Sequence, residues 1–345
     1  MNRPSPALRV TVAVAVLLTG CGLGDESPTV AGVPCTVTPT DEDAVHRALA
    51  EVDPGARICV TGGRLDGADL VVQRSGEAGR PIVVVSDGTR VRSVVVEADH
   101  VLVQGFVTVD GDGIVLRGQD LVARDNEVRT AVEDGISCED GCADVVIEDN
   151  TVVGADGSGI LVAGRRIEVR RNTVSGSVRQ EAEDADGIRF FGSDIRITGN
   201  TVEDIKDDGY GDDPPHTDCF QTFDNGGIPT VDVVIEGNVC RNVDHQCLIA
   251  TAEVAGTTGR LGRSRGIDFT GNDCYVEGSQ AVLVQWFPDV VVRENALEGP
   301  NLHRAAIFLD GSTNGEFFGN SGPASVPPYE IDEESESGFS TDEPN

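Results

Sequence analysis

Aromatic and basic residues are both scarce in this sequence. Its 345 residues include 11 Phe, 3 Tyr and 1 Trp, and 26 Lys and Arg stand against 59 Asp and Glu, which gives a formal net charge of −33 at pH 7. So negative a surface repels nucleic acid and anionic lipid headgroups, and it repels a polyanionic glycan unless cations intervene. The small number of large rings suits a narrow interior lined with Val. We therefore expect no nucleic-acid partner.

The start of the chain lacks an apolar run that is long enough to span a bilayer. The short run at residues 10–18 follows a basic start, and this order is typical of an export signal over residues 1–20. The signal ends in Leu18-Thr19-Gly20-Cys21, which resembles the lipobox of bacterial lipoproteins. The resemblance implies a lipid on Cys21 and a chain that is held on the extracellular face of the cell membrane by this anchor alone. Residues 21–33 then form a flexible tether.

The strongest pattern in the chain is a repeat centred on one Asn. Eight segments, of which DVVIEDNTV, DIRITGNTV and DVVIEGNVC are typical, align at intervals of 22 to 38 residues on Asn126, Asn150, Asn172, Asn200, Asn238, Asn272, Asn295 and Asn320. Short apolar segments such as DGIVL, DGIRF and AAIFL alternate with them. Each unit therefore holds two short strands and has too few residues for a helix between them.

Strands this short can bury their Val and Ile side chains only by coiling, with each turn stacked about 4.8 Å from the next. A β-propeller would need roughly 40 residues and four strands per blade. The repeat resembles the right-handed parallel β-helix proteins of the pectate-lyase-like group, which implies an all-β, single-stranded solenoid over residues 34–320. Residues 321–345 contain seven acidic residues and no basic one, so we expect a disordered acidic tail.

The N-terminal end of the solenoid is expected to carry a capping helix. Thr40 and Asp43 have the spacing of a capping box, and an apolar stripe at helical spacing follows them. Such a helix would cover the bare strand edges of the first turn.

The cysteines other than Cys21 are even in number, as expected for disulfides in an oxidising compartment. Equivalent positions in stacked turns lie about 5 Å apart, which suits a disulfide. On this basis we expect the pairs Cys240–Cys274 and Cys219–Cys247. We also expect Cys35–Cys59, which would tie the capping helix to the first turn, and Cys138–Cys142, which would close a small loop.

Two long insertions interrupt the repeat at the same corner of successive turns. An ordinary turn uses about eight residues between the ladder Asn and the next strand, whereas the chain uses 14 after Asn172 and 18 after Asn200. Long loops on a rigid solenoid are common positions for binding sites, and we expect these two to lie side by side.

The two insertions bring together residues that can do acid/base chemistry or bind a cation. Crowded carboxylates raise one another's pKa and hold a neighbouring His in its charged form. The same oxygen atoms would also suit Ca²⁺, and the candidate ligands are Asp212, Asp184 and Glu183. No cofactor other than this Ca²⁺ is indicated.

The second insertion contains DGYGDDPPHTD, which resembles the Tyr-Gly-x-Asp-Pro-His-Glu motif of mannuronan C5-epimerases. These are parallel β-helix enzymes related in mechanism to alginate lyases. The resemblance implies that Tyr210 and His216 form the acid/base pair and that Asp213 matches the Asp of the motif. The chain has a second Pro before His216, and Thr217-Asp218 stands where the motif has Glu.

Several nearby positions have both a structural and a functional interpretation. Asp186 and Asp218 share a register in which Asp makes the bend before a strand, and both are also candidates for the site. Arg189 and Gln221 are expected to share an outward column beside the insertions. Trp286 is interpreted either as a platform for a sugar ring or as a core residue.

The leading functional hypothesis is β-elimination or C5-epimerisation of an extracellular uronic-acid polysaccharide by a monomeric protein. Tyr210 and His216 would move protons, and Arg189 or Lys206 would neutralise the substrate carboxylate, with or without Ca²⁺. One alternative is a glycoside hydrolase that pairs Asp186 with Asp213 or Asp218. The other is a non-catalytic scaffold that binds a glycan or a cell-wall protein.

Overall fold

The computed structural model describes residues 29–30, 32–62, 65–180, 184–224, 227–253 and 263–342. They form a parallel β-solenoid of about 11 turns with one short helix near its N-terminus, which confirms the predicted all-β fold. The helix is α1 (Glu42–Glu51). In chain order the strands are β1 (Thr29–Val30), β2 (Val33–Pro34), β3 (Arg57–Val60), β4 (Asp69–Val72), β5 (Ile82–Ser86), β6 (Arg90–Glu97), β7 (Val101–Gln104), β8 (Val107–Arg117), β9 (Gln119–Arg124), β10 (Glu127–Arg129), β11 (Ile136–Glu148), β12 (Thr151–Val153), β13 (Ser158–Arg170), β14 (Thr173–Ser175), β15 (Asp186–Thr198), β16 (Thr201–Ile205), β17 (Phe220–Thr222), β18 (Val231–Glu236), β19 (Val239–Val243), β20 (Leu248–Thr251), β21 (Arg265–Thr270), β22 (Asp273–Val276), β23 (Gln280–Gln285), β24 (Val290–Arg293), β25 (Ala296–Glu298), β26 (Arg304–Leu309), β27 (Glu316–Phe318), β28 (Tyr329–Ile331) and β29 (Ser340–Thr341).

The stacked strands form three parallel sheets around one apolar interior. Sheet A contains β3, β5, β7, β9, the C-terminal parts of β11, β13 and β15, and then β18, β21, β24, β27 and β29. Sheet B contains β4, the C-terminal parts of β6 and β8, the N-terminal parts of β11, β13 and β15, and then β17, β20, β23, β26 and β28. Sheet C contains the N-terminal parts of β6 and β8, followed by β10, β12, β14, β16, β19, β22 and β25. Alternate side chains point inward, so in β15 Ile188 and Phe190 are buried whereas Arg189 points outward.

The predicted asparagine ladder is confirmed at all eight positions. Each Asn after Asn126 uses its Oδ1 to accept the backbone and side-chain N–H groups of the Asn one turn earlier, as Asn200 does for Asn172 at 2.9 and 3.0 Å. Asn126 Oδ1 instead accepts the Phe106 N–H at 3.0 Å. The same pattern joins every successive pair of the column. The residue before each Asn has a positive φ, between 53° and 66°, which turns the chain sharply at the corner between sheets A and C. The ladder satisfies backbone groups that this turn would leave unpaired inside the protein.

The capping helix is confirmed. Its N-cap is Asp41, one residue after Thr40, with which the predicted capping box begins. Asp41 Oδ1, rather than the Thr40 hydroxyl, accepts the Ala44 N–H at 2.8 Å. Val45 and Leu49 are buried in the solenoid interior, so the helix closes the first turn as expected.

Two of the four expected disulfides are wrong. Cys35–Cys59 and Cys138–Cys142 are present, but the other four cysteines pair as Cys219–Cys240 and Cys247–Cys274. Each of the latter two bonds joins two strands of the same turn at one corner, instead of joining neighbouring turns.

The three preceding turns show the physical reason for this pairing. At the position equivalent to Cys219 they have Gly, and a Cβ on Gly187 would lie 2.4 Å from a methyl group of Val202, which is equivalent to Cys240. The two side chains at this corner therefore point at each other, whereas stacked residues such as Cys240 and Cys274 point the same way. A covalent bond replaces the Gly–Val contact in the two turns that carry cysteines.

Both ends of the described part of the chain differ from prediction. Residues 321–342 are ordered: β28 and β29 extend sheets B and A, and Tyr329 and Phe339 pack on the rings of the last turn. The expectation of a disordered tail overlooked these apolar residues, which close the end of the solenoid. It also overlooked Asp332, whose carboxylate accepts the Asp310 and Ser335 N–H groups at 2.8 and 2.9 Å.

At the other end, the last residues of the predicted tether form the β1–β2 hairpin, in which Val30 is buried beside the Cys35–Cys59 disulfide. The export signal and Cys21 lie outside the described residues. Within the described residues, no helix has the length and apolar character required to cross a membrane.

Candidate active site

The two insertions leave the corner between sheets C and B and lie side by side, as predicted. The first joins β14 to β15 and the second joins β16 to β17. The Ala185 N–H donates to the His216 carbonyl oxygen at 2.9 Å, and the His216 N–H donates to Asp184 Oδ1 at 3.2 Å. Asp184, Asp186, Arg189, His216 and Asp218 converge here, and we call this group the acidic cleft.

Asp186 and Asp218 occupy equivalent positions in successive turns and are fully buried. Asp186 Oδ1 accepts the Asp218 N–H at 3.0 Å, and Asp218 Oδ1 accepts the Gln246 N–H at 2.7 Å. Both side chains therefore hold the bend, which is the structural role that their register indicates. The second oxygen of Asp218, Oδ2, is buried and has no hydrogen-bond partner among the described residues.

Burial raises the pKa of both carboxyl groups. The pKa of Asp186 rises to about 6, because burial outweighs the opposing effect of the Arg189 guanidinium. Burial, reinforced by the charge of Asp186, raises the pKa of Asp218 well above its ordinary range.

Arg189 and Gln221 are paired neighbours on the outer face of sheet B, as predicted. Arg189 Nε donates to Gln221 Oε1 at 2.8 Å, and its Nη2 lies 2.5 Å from Asp186 Oδ2 and 3.3 Å from Asp184 Oδ2. The guanidinium also stacks over the Phe223 ring at 5.4 Å. Its charge is thus compensated by two acidic neighbours, which leaves the cleft acidic.

His216 is the exposed group of the cleft. Its side chain is 58% exposed, and Nδ1 lies 3.9 Å from the unpartnered Oδ2 of Asp218. The ring meets the His245 ring edge-on, with centroids 5.4 Å apart. An accessible imidazole above a buried carboxyl group is an arrangement that can accept, hold and release a proton.

The other residues implied by the epimerase-like motif are held elsewhere. The Tyr210 hydroxyl accepts the Arg179 N–H at 2.8 Å, and the Arg179 guanidinium stacks on the Tyr210 ring and contacts Asp213. The loop thus ties Tyr210 and Asp213 to Arg179 rather than to His216.

Lys206 is also engaged away from Arg189, because its Nζ lies 2.7 Å from Asp244 Oδ1. Trp286 follows the end of β23 instead of lying on the strand, and it is partly buried with φ 56°. Of the expected Ca²⁺ ligands, Asp184 bonds Arg189, Asp212 is exposed, and Glu183 lies outside the described residues.

The sequence interpretation missed His245. It lies in the short turn before β20, and its Nδ1 accepts the Thr217 N–H at 3.3 Å. Burial lowers the pKa of His245, and the adjacent His216 lowers it further. A signal was present: His245 stands two residues before Cys247, as Thr217 stands two residues before Cys219, so the register places it beside the second insertion.

A separate groove of about 700 Å³ lies on the outer face of sheet A. Its charged side chains form ion pairs between turns, such as Arg166 with Asp144, and the Arg166 hydrogen bonds lower the pKa of Asp144. These pairs support the stacking of turns. The acidic cleft, which brings an exposed imidazole close to buried carboxyl groups, is the better candidate for chemistry.

Comparison with known proteins gives a family and a set of similar folds. A family model described as "Right handed beta helix region" matches residues 86–174 and 112–321. No curated protein matches the chain. Among solved structures, the catalytic unit of a GH87 α-1,3-glucanase from Streptomyces thermodiastaticus is 14% identical, with a TM-score of 0.55 over 92% of this chain and 70% of that one.

Two other structures are similar at the same level. The Agl-KA catalytic domain is 14% identical, with a TM-score of 0.54 over 87% of this chain and 64% of that one. The tailspike protein of E. coli bacteriophage HK620, solved in complex with a pentasaccharide, is 11% identical, with a TM-score of 0.53 over 90% of this chain and 65% of that one. At these identities the likeness establishes the fold alone.

Proposed function

Because the chain belongs to the right-handed β-helix family, we propose that it binds an extracellular polysaccharide along sheet B and processes it at the acidic cleft. The similar solved structures support a glycan as the substrate, since they include a glucanase and a tailspike with a bound pentasaccharide. The outward residues of sheet B lead directly to the cleft, through Gln221 and Arg189.

The observation that carries this proposal is the position of His216. Its exposed imidazole lies 3.9 Å from a buried carboxyl oxygen of Asp218, and its backbone is joined through Asp184 to Arg189. In this proposal His216 accepts a proton from substrate, Asp218 stabilises the resulting imidazolium, and Arg189 contacts the group that becomes more negative.

On a uronic-acid polysaccharide, His216 would remove the proton from C5. The electron pair left by that proton then either forms a C4=C5 double bond and expels the oxygen on C4, which leaves as a hydroxyl group after taking the proton from the His216 imidazolium, or takes a proton from solvent on the opposite face of the ring. The first outcome is elimination and the second is epimerisation. Because Asp184 and Asp186 already compensate Arg189, we infer that an added cation such as Ca²⁺ assists binding of the substrate carboxylate.

Glycoside hydrolysis is the second candidate, and the raised pKa of Asp186 favours it. A carboxyl group with a pKa of about 6 remains partly protonated near neutral pH, as a general acid requires. In this case Arg189 would move away from Asp186 Oδ2 when substrate binds, so that Asp186 could protonate the leaving oxygen, and Asp184 would supply the second carboxyl group.

The test is a screen of purified protein against a polysaccharide panel, with and without Ca²⁺. Ultraviolet absorbance from an unsaturated uronate identifies elimination, exchange of solvent deuterium at C5 without cleavage identifies epimerisation, and new reducing ends without absorbance identify hydrolysis. Binding without turnover would instead select the non-catalytic scaffold.

The variant His216→Ala should abolish turnover and leave thermal stability nearly unchanged, because an exposed loop His supports little packing. His303→Ala, which changes an exposed His in another turn, is the matched control and should retain activity. Full activity of His216→Ala on an identified substrate would refute the catalytic assignment.

We also infer that the chain is exported and anchored through Cys21, on the basis of the lipobox-like sequence. Mass spectrometry of membrane-extracted protein should find a lipid on Cys21 as the first residue. A Cys21→Ala variant that remains in the membrane fraction would contradict this inference.

A further inference from the structure

His216, Asp218 and His245 offer three donor atoms that lie within 4.8 Å of one another. They come from two successive turns: His216 and Asp218 end the second insertion, and His245 precedes β20. We propose that these three residues form a site for a divalent transition metal ion of the zinc type. Two imidazoles and one carboxylate are a donor set that suits such ions better than Ca²⁺, which prefers oxygen ligands.

The buried carboxyl group of Asp218 is the second observation that indicates a ligand. Its Oδ1 is used by the Gln246 N–H, whereas Oδ2 has no partner within the described part of the chain and faces His216. A buried polar atom without a partner is costly, and a bound cation would satisfy it.

The surroundings of His245 favour coordination through Nδ1. Nε2 lies 3.6 Å from Asp207 Oδ2, so the proton is best placed on Nε2 and directed towards that carboxylate. The lone pair on Nδ1 is then directed towards the segment that carries His216 and Asp218, where it meets only the long contact with the Thr217 N–H at 3.3 Å. A carboxylate behind a ligating His is the usual arrangement that fixes its tautomer.

The geometry requires a small contraction. Ligands at about 2.0–2.1 Å from a tetrahedral ion lie roughly 3.4 Å from one another, so donor atoms that lie within 4.8 Å must approach by at most about 1.4 Å. His216 can make this movement because its side chain is 58% exposed on a loop, whereas Asp218 is fixed by the turn. The remaining coordination positions would face the solvent above the exposed ring.

Binding of the ion does not depend on the proposed function, but it affects that function in one way. A metal on the His216 ring removes the lone pair that would accept the substrate proton. We therefore expect an occupied site to inhibit the glycan turnover assigned to His216.

The experiment uses the tag-free exported chain after treatment with a chelator. Titration calorimetry with Zn²⁺ should show one site, and Co²⁺ should give the intense visible absorbance of a four- or five-coordinate ion. His245→Ala and Asp218→Asn should each weaken binding by about tenfold or more. Asp207→Asn should weaken binding by about tenfold, because the carboxylate that holds the proton on His245 Nε2 is lost. Asp218→Asn keeps the acceptor for Gln246, so the turn is preserved. His303→Ala should bind normally.

Absence of Zn²⁺ binding, or binding that His245→Ala leaves unchanged, would overturn the metal site and leave the glycan proposal intact. Binding with the expected variant pattern but without turnover of any polysaccharide would support the site and count only against the glycan proposal. Where turnover is found, Zn²⁺ should inhibit the wild-type chain, and the residual turnover of His245→Ala should no longer respond to Zn²⁺. Equal inhibition of both would overturn the assignment of His245 as a ligand.

Discussion

Replacement of Asn200 by Ala removes one central rung of the asparagine ladder. The side chain is buried and makes four hydrogen bonds. Its Oδ1 accepts the backbone and side-chain N–H groups of Asn172 at 2.9 and 3.0 Å, and its Nδ2 donates to the Val169 carbonyl at 2.9 Å and to Asn238 Oδ1 at 3.0 Å. The variant leaves the Asn172 N–H and the Val169 carbonyl buried without these partners.

The expected cost follows from the number and burial of these bonds. At about 1 kcal/mol for each of the four, Asn200→Ala should lower the free energy of unfolding by about 4 kcal/mol. The matched control is Asn320→Ala, at the end of the ladder. Its side chain makes three such bonds, but it is partly exposed, so water can replace the lost partners and the cost should be about 1 kcal/mol.

The assay is urea unfolding with the disulfides intact, combined with hydrogen exchange. A solenoid can lose structure turn by turn, so a single global transition need not report the local change. Exchange should accelerate first at the amides of Asn172 and its neighbours. If Asn200→Ala costs no more than Asn320→Ala, or if the loss of protection is not centred on this rung, the hydrogen bonds of the ladder do not supply the stability assigned to them.

Three further outcomes follow from other parts of the structure. The double variant Cys219→Gly/Cys240→Val should fold, because it reproduces the Gly–Val corner of the preceding turns. Cys240→Val alone should be less stable than the double variant by about 1–3 kcal/mol, the usual cost of overpacking a core, and denaturation under non-reducing conditions compares the two. Titration of Asp186 should make the protein less stable as pH rises from about 4 to about 6, because the carboxyl group binds its proton more tightly in the folded chain (pKa about 6) than in the unfolded chain (pKa 3.8). Asp186→Asn should lack that part of the pH dependence, and an unchanged profile would contradict the raised pKa. Lys206→Ala should lower stability by at most about 1 kcal/mol through loss of its partly exposed pair with Asp244 and should leave any turnover within about twofold, so a complete loss of activity would return Lys206 to the catalytic group.

The sequence alone was sufficient to predict the solenoid, because every turn repeats the same short residue pattern. The recurring Asn and the short Val- and Ile-rich strands specify one turn, and stacking of equivalent turns then follows without any long-range choice. The same register correctly predicted the adjacency of the two insertions and the shared column of Arg189 and Gln221.

The tertiary structure decided the features that do not repeat. The sequence register places Cys240 beside Cys274, but the direction of the side chains at one corner joins Cys240 to Cys219. The apolar residues that order the C-terminal segment gain their partners from the Phe308 and Phe317 rings of the last turn, which this segment helps to bury.

The candidate site shows the same division. The repeat identified His216, because this residue departs from the pattern of the other turns. It identified the two buried acids because they occupy the repeated position before a strand. It did not predict that Arg179 holds Tyr210 or that His245, in an otherwise ordinary turn, meets His216. Contacts between loops depend on side-chain directions and on residues far apart in the chain, and no local period encodes them.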